Sequence, residues 1–300
     1  MSRARLLRAV GAAFALVAQG ATAQTVAVAG LDAMNDLERR CWTARTFERT
    51  RVDLRDPFAV SFGNLKNGMT LRSPFWIDFG VRGMGVIPAG NVHPKAGHHH
   101  LLVDTQLPLD HQAKIPFNDK HRHFGKGQTG TLLDLPPGRH TLRLLFADHD
   151  HKPYFVYSPE ITVTVEGKRG DAPPAIDASK FEATCALWYD NEVTRPRGEA
   201  KQVFVRNLRA RETVAGSFTL GLGVVGFGVA PAGSTVKDVG YFAVDVAGKA
   251  PITRVELKDG RTETVIDLAY GEYTVTPLLL APDGRVLLTG SPLPFQVNGR

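Results

Sequence analysis

One stretch of the sequence occurs twice, and this repeat constrains the fold more than any other feature. The first version, GVRGMGVIPAG, covers residues 80–90, and the second, GVVGFGVAPAG, covers residues 223–233, at an offset of 143 residues. After a deletion of ten residues in the second version, the match resumes at an offset of 133, as between Gly138 and Gly271. A register kept over this length indicates two diverged copies of one domain.

The copies are separated by a charged, Gly- and Pro-rich segment that we interpret as a linker over 166–178. The two domains are then predicted at 35–165 and 179–297. Apolar and polar residues alternate in short segments such as 74–81 and 216–225, and turn residues separate them. About seven such strands per copy, without a long amphipathic helix, predict an all-β protein of two tandem immunoglobulin-like β-sandwich domains.

Residues 1–23 have the pattern of a secretory signal peptide. Three arginines precede an apolar run over 9–18, and the small residues of Ala21-Thr22-Ala23 form a cleavage site. The run is too short to span a bilayer, and no later stretch is apolar for long enough. We therefore expect a periplasmic or secreted protein with no membrane span.

The charge distribution argues against nucleic acid as a partner. The formal net charge is +6, and three of the positive charges are the arginines of the predicted signal peptide. The remaining Lys and Arg are scattered, and aromatic residues do not alternate with them.

Cys41 and Cys185 occupy nearly equivalent places in the two copies. An oxidising compartment permits a disulfide between them, which makes the pair a disulfide candidate. Two free buried thiols, or a Cys41 thiolate that ligates a metal, are the alternatives. No C-x-x-C motif is present, so covalent haem attachment and thioredoxin-like chemistry have no support.

The histidines are confined to one copy. All ten lie between His93 and His151, and the second copy contains none. At the equivalent positions the second copy has Tyr, Phe, Ala, Arg and Glu, so the fold itself does not require imidazole. We infer that the first copy uses its histidines for another purpose.

The spacing of these histidines predicts a metal site. His98 and His100 alternate on a predicted strand and so share one face, whereas His99 lies on the opposite, more apolar face. His121 and His123 form a second H-x-H pair, and two such pairs on neighbouring strands can direct four ring nitrogens to one point. Imidazole is a good ligand for copper and zinc. We predict a copper or zinc ion bound by His98, His100, His121 and His123, with His99 and His151 as the next candidates.

Other functions remain open at this point. A metal-dependent periplasmic oxidase, lyase or hydrolase would need an acid or base nearby, for which Asp104, Asp119 and Asp148 are candidates. A metal-free module could instead use the clustered histidines to bind anionic ligands. The second domain is expected to serve as a scaffold, a dimerisation surface or a platform for a protein partner.

Three motifs give the first copy a family resemblance. They are GHHHLLVD at 97–104, KHRHFGKGQT at 120–129 and LPPGRHTL at 135–142. Over about residues 70–165 the sequence resembles the bacterial family known as domain of unknown function 4399. The resemblance implies an exported small β-domain with a histidine motif and no assigned activity.

Overall fold

A computed structural model describes residues 30–53, 58–108 and 110–298. The predicted signal peptide lies outside the described residues. The first copy forms a two-sheet sandwich of ten strands. These are β1 (Ala59–Phe62), β2 (Thr70–Ser73), β3 (Phe75–Arg82), β4 (Gly85–Val86), β5 (Ala96–Val103), β6 (His121–Phe124), β7 (Gly130–Leu133), β8 (Gly138–Ala147), β9 (Pro153–Tyr157) and β10 (Ile161–Lys168).

The strand order in the first sandwich is immunoglobulin-like. One sheet has the order β1-β3-β7, and the other has the order β2-β10-β8-β5-β4, with β6 paired to β5 and β9 paired to β8. In an immunoglobulin domain, strands A, B and E form one sheet and strands C, F and G form the sheet that faces it. Here β1, β3 and β7 take the places of A, B and E, and β5, β8 and β10 take those of C, F and G. β10 extends to Lys168, so the first three residues of the predicted linker complete a strand.

The second copy repeats this arrangement strand for strand, with sheets of order β11-β13-β17 and β12-β20-β18-β15-β14. Its strands are β11 (Gln202–Val205), β12 (Thr213–Val214), β13 (Ser217–Val225), β14 (Gly228–Val229), β15 (Val239–Ala247), β16 (Thr253–Glu256), β17 (Glu263–Asp267), β18 (Gly271–Leu280), β19 (Val286–Thr289) and β20 (Leu293–Val297). The predicted fold class, two tandem β-sandwiches from a duplication, is confirmed. Each copy has more strands than the seven expected, because several are too short to show an alternating pattern.

The alternating pattern places the core between the sheets. In β10, Ile161, Val163 and Val165 are buried and the intervening residues are partly or fully exposed. Each such strand therefore contributes every second side chain to the apolar interior, where burial stabilises the fold by roughly 25 cal/mol per Å² of apolar surface. Large fully buried rings, including Phe79, Phe146, Phe218 and Phe242, fill the space between the sheets.

Besides two short 3-10 helices (Leu31–Ala33 and Ala178–Lys180), the described residues form three α-helices: α1 (Asp36–Thr43), α2 (Thr46–Thr50) and α3 (Phe181–Val193). α1 begins with a capping box, in which Asn35 accepts from the backbone N–H of Glu38 and the Glu38 side chain accepts from the backbone of Asn35. α3 has 13 residues, but its own apolar side chains are distributed around the whole helix axis. It therefore lacks the periodicity of an amphipathic helix. Within the described ranges, none of the helices has the length and apolar character needed to cross a bilayer.

The helices are exchanged between the two copies. α3 precedes the second sandwich in the chain but packs against the first, where the Asn64 side-chain amide donates to the Val193 carbonyl at 2.8 Å. α2 precedes the first sandwich but packs against the second, where the equivalent Asn207 amide donates to the Arg49 carbonyl at 3.0 Å. This reciprocal arrangement resembles a domain-swapped dimer whose protomers are joined in one chain.

The two sandwiches meet across a pseudo-two-fold interface. The backbone N–H of Val81 donates to the Thr262 hydroxyl at 3.3 Å, and the equivalent N–H of Val224 donates to the Thr129 hydroxyl at 3.0 Å. These atoms are buried, and the apolar core is continuous between the two copies. The domains predicted at 35–165 and 179–297 therefore share one interior.

Cys41 of α1 and Cys185 of α3 form a disulfide. Both residues are fully buried and lie in a small apolar cluster with Trp42, Trp188 and Tyr189. The disulfide joins the two exchanged helical segments and uses both cysteines of the chain. It thus closes a loop with a sequence separation of 144 residues.

Removing this disulfide is expected to destabilise the protein. We predict that a Cys41→Ala/Cys185→Ala variant loses about 2–5 kcal/mol of unfolding free energy, because the bridge restricts the unfolded chain over a long loop. Urea unfolding of the oxidised protein and the variant would measure the difference, and the wild type in a reducing agent serves as the control. Unfolding midpoints that agree between the oxidised protein and the variant would contradict the prediction.

Candidate metal centre

The histidine cluster lies on the outer face of the larger sheet of the first sandwich. Residues alternate along β5, so His98 and His100 point outward while His99 points into the sandwich. β6 pairs antiparallel with β5 and places His123 directly opposite His100. Strand alternation and strand pairing therefore bring three of the predicted ligands together.

The three rings are close enough to approach one ion. One ligand nitrogen each from His98, His100 and His123 lies within 4.8 Å of the other two. The Nε2 atoms of His98 and His100 are 3.1 Å apart. In a tetrahedral zinc site, nitrogens at 2.0–2.1 Å from the metal are roughly 3.4 Å apart. The closest pair is near that spacing, and modest ring movements would bring in the third.

The His151 ring, on the loop after β8, lies beside these three rings, although its nitrogens are not among the group of mutually close ligand nitrogens. Its ring centroid is 5.0 Å from that of His98 and 4.8 Å from that of His123. The residue has a φ of 67°, in the left-handed region that non-glycine residues rarely adopt. Such a conformation costs of order 1 kcal/mol or more, and it marks the turn that places the ring beside the cluster.

A loop between β5 and β6 covers the cluster. The Phe117 ring stacks on His123, with centroids 4.7 Å apart, and the Ile115 backbone N–H donates to the His151 carbonyl at 2.9 Å. His98 and His100 are therefore fully buried although they stand on the outer face of the sheet. The second copy is ten residues shorter in this region, so the cover belongs to the copy that has the histidines.

The three rings are uncharged, and each has one ring nitrogen without a hydrogen-bond partner in the described structure. Nδ1 of His98, Nδ1 of His100 and Nε2 of His123 have no hydrogen-bond partner within the described part of the chain. Burial, with a further contribution from the neighbouring histidines, lowers the pKa of His98 to about 3 and that of His100 to about 2. Burial and His151 also lower the pKa of His123. Neutral imidazoles keep a lone pair for a metal and provide no positive charge for an anion.

Glycine at position 125 is needed for the position of the His123 ring. A Cβ atom at Gly125 would lie 2.2 Å from Cε1 of His123, closer than any real contact. In the second copy the equivalent position is Lys258, and the position of His123 is Glu256. Tyr241 occupies the position of His98 in the second copy, and its hydroxyl donates to the Glu256 carboxylate at 3.0 Å.

Two of the predicted ligands lie elsewhere. His99 is fully buried on the inner face, with its ring centroid 5.1 Å from that of Phe79 and 4.9 Å from that of Phe146. His121 does not join the cluster of ring nitrogens, because its Nδ1 is 3.0 Å from Oδ1 of Asn118. The second H-x-H pair therefore contributes only His123 to the cluster.

Two candidate acids and a further histidine take part in local structure. Asp104 contacts His140 Nδ1 at 2.7 Å and accepts from the Thr141 backbone N–H. Burial lowers the pKa of His140, but its hydrogen bonds to Asp104 and Pro136 outweigh this effect and raise the pKa above the usual value. The Asp148 carboxylate accepts two backbone N–H groups in its own turn. Asp119 is exposed.

The inward position of His99 gives a stability prediction. Neither ring nitrogen of His99 has a partner in the described structure, and the equivalent residue of the second copy is the fully buried Phe242. We expect His99→Phe to raise the unfolding free energy by about 1–3 kcal/mol, because it removes an unsatisfied buried polar group. The reciprocal Phe242→His variant should be destabilised by a comparable amount. Urea unfolding of both variants checks this, and a destabilised His99→Phe protein would contradict it.

The histidine cluster lies in a segment that is similar to a known family. Residues 77–166 match the family model described as domain of unknown function (DUF4399). The segment matching DUF4399 runs from β3 to β10 and includes His98, His100, His123 and His151. The resemblance expected from the three sequence motifs is confirmed over this range. No curated protein matches the chain.

Solved structures give only weak similarities. The chain matches an endo-β-1,4-mannanase from Thermotoga petrophila at 18% identity and a TM-score of 0.24, over 39% of this chain and 21% of the mannanase. It matches fibronectin(III)-like modules of Clostridium thermocellum CbhA at 9% identity and a TM-score of 0.21, over 80% of this chain and 94% of the modules. A two-domain fibronectin type III segment of chicken tenascin matches at 11% identity and a TM-score of 0.18, over 80% and 97%. The chain spans about a fifth of the length of the mannanase.

Proposed function

We propose that the first sandwich binds one copper or zinc ion through His98, His100 and His123, with His151 as the fourth ligand. The proposal rests on one observation: the fully buried His98 and His100 and the partly buried His123 place their ligand nitrogens within 4.8 Å of one another. We propose further that this binding takes place in the periplasm, since residues 1–23 have the pattern of a signal peptide.

The composition of the cluster favours these metals. Its donors are nitrogens only, which suit Zn²⁺ and Cu²⁺ and do not suit Mg²⁺ or Ca²⁺, which prefer oxygen. Among divalent ions, Cu²⁺ binds most tightly to such ligands. The second copy, which keeps the fold and lacks the imidazoles, supports a role for them other than folding.

Four imidazoles around one ion favour storage, sensing or transfer of the metal over catalysis. A catalytic metal centre keeps a coordination position open for water or substrate. In addition, two of the carboxylates considered as acid or base already have partners. Asp104 is hydrogen-bonded to His140, and Asp148 accepts backbone N–H groups of its own turn. We therefore propose a metal-binding protein in preference to a metal-dependent enzyme.

A Cu²⁺ titration followed by visible absorption and electron paramagnetic resonance tests the proposal. We expect saturation at about one Cu²⁺ per chain, with nitrogen hyperfine coupling from imidazole ligands. His123→Ala should abolish this signal, and His121→Ala, two residues away on the same strand, should retain it. A wild-type protein that gives no saturable signal, or equal signals from both variants, would overturn the proposal.

A further inference from the structure

We infer that a cavity between the two sandwiches binds an organic anion, one with a carboxylate or phosphate group on an apolar body. The cavity has a volume of about 710 Å³ and is bounded by both copies and by the exchanged helices. That volume lies within the range of small-molecule sites in proteins. None of the residues that line it is a histidine, so the cavity is separate from the histidine cluster.

The lining of the cavity has an excess of positive charge. Seven arginines and one lysine line it, against four carboxylates. Two further carboxylates, outside the lining, form ion pairs with arginines of the lining: Glu212 with Arg49, and Asp78 with Arg197. Even with these two included, the cationic groups exceed the anionic ones. Guanidinium groups bind carboxylate and phosphate through paired hydrogen bonds, so the excess favours ligands with those groups.

Arg197 is a buried cation of the lining whose donors are not all satisfied. Its side chain is only 12% exposed and forms an ion pair with buried Asp78, with a nitrogen-to-oxygen distance of 3.6 Å. Its Nε atom has no hydrogen-bond partner in the described structure, and its guanidinium lies 3.6 Å above the ring centroid of Phe204. A buried guanidinium has five donors to satisfy, and an anion in the cavity would supply acceptors.

Three other cations of the cavity have less than one carboxylate each. Arg195 and Arg209 share the single carboxylate of Glu192. Arg51 is exposed and makes no ion pair within the described residues. Its carbonyl accepts from the Thr219 hydroxyl at 3.1 Å, which fixes its backbone to the second sandwich. Arg51 is therefore placed where it can attract an anion without losing an internal partner.

The apolar part of the lining contains aliphatic side chains and four aromatic residues, Trp42, Phe62, Tyr157 and Tyr189. Trp42 is 4% exposed, and its indole N–H has no hydrogen-bond partner in the described residues. Rings beside guanidinium groups suit a ligand with a flat apolar body and a charged end. A small inorganic anion would leave this apolar surface uncovered.

Calorimetric titration of the full mature protein tests the inference. The probes are 2-naphthoate and 2-naphthyl phosphate, with 2-naphthalenemethanol as the neutral control of the same shape. We expect at least one anion to bind saturably and about tenfold more tightly than the alcohol. Charge-assisted hydrogen bonds from one guanidinium group to the anion account for a difference of that size. The anion that binds more tightly identifies the ligand as a carboxylate or a phosphate.

Matched variants locate the binding. Arg197→Gln should lower the affinity for the anion by about tenfold, and Arg51→Gln should lower it by a smaller factor. Arg139 is exposed and lies outside the cavity, so Arg139→Gln should leave the affinity unchanged. If Arg197→Gln does not fold, Arg51→Gln decides the question by itself. His98→Ala should bind the anion as the wild type does.

Any of three results would overturn the inference. These are the absence of saturable binding of either anion to the folded wild type, equally tight binding of the alcohol, and unchanged affinity in Arg51→Gln.

Discussion

Replacing Glu212 with Ala is expected to lower the free energy of unfolding by about 3–5 kcal/mol. Glu212 is fully buried, and its carboxylate contacts the guanidinium of Arg49 and the hydroxyl of Thr46. It also accepts from the backbone N–H of Arg209 at 2.7 Å. Arg49 belongs to α2, which precedes the first sandwich, and Glu212 belongs to the second copy. The variant would leave Arg49 as a buried charge without its carboxylate.

Urea unfolding of Glu212→Ala measures this effect, and Asp134→Ala provides the control. Asp134 forms an ion pair with Lys168 in which both side chains are more than half exposed. Solvent screens such a pair, so its loss should cost less than about 1 kcal/mol. Equal losses in the two variants would contradict the assignment of Glu212 as the residue that secures the exchanged helix.

Replacing His100 with Ala is expected to lower the affinity for copper or zinc by more than about 100-fold. Loss of a residue that merely supports a ligand typically costs 10- to 100-fold, and His100 is proposed as a ligand itself. The Nε2 atom of His100 lies 3.1 Å from Nε2 of His98, and both rings are fully buried. Competition with a chromophoric chelator measures the affinity of each variant.

Two further variants make this result interpretable. His149→Ala, which changes a neighbouring histidine without a ring contact to the cluster, should retain wild-type affinity. His123→Ala removes a less buried ring, so it perturbs the sheet less than His100→Ala and should show the same loss. Wild-type affinity in His100→Ala and His123→Ala, or an equal loss in His149→Ala, would contradict the ligand assignment.

Much of the fold follows from the sequence because the relevant signals are local or repeated. Alternation within strands predicts the sheets, and the 143-residue register predicts that the two copies share one architecture. The same alternation correctly separates His98 and His100 from His99. The sequence did not indicate α3, because apolar residues occur on every side of this helix and show no helical periodicity.

The remaining features depend on side-chain contacts, turn conformations and long-range packing, none of which the alternating pattern encodes. The H-x-H pattern places His121 and His123 on one face of β6, but it cannot show that Asn118 holds the ring of His121. His151 reaches the cluster through a left-handed turn that sequence periodicity does not encode. The exchanged helices and the cavity between the sandwiches join residues more than 100 positions apart, such as Asn64 and Val193.

Elemental analysis of the mature protein, purified from the periplasm without an affinity His-tag, tests the central proposal most directly. We expect about one copper or zinc ion per chain in the wild type, and none in a folded His98→Ala/His100→Ala variant. A metal-free wild type that also fails to take up copper, zinc or nickel on titration would contradict the proposed function.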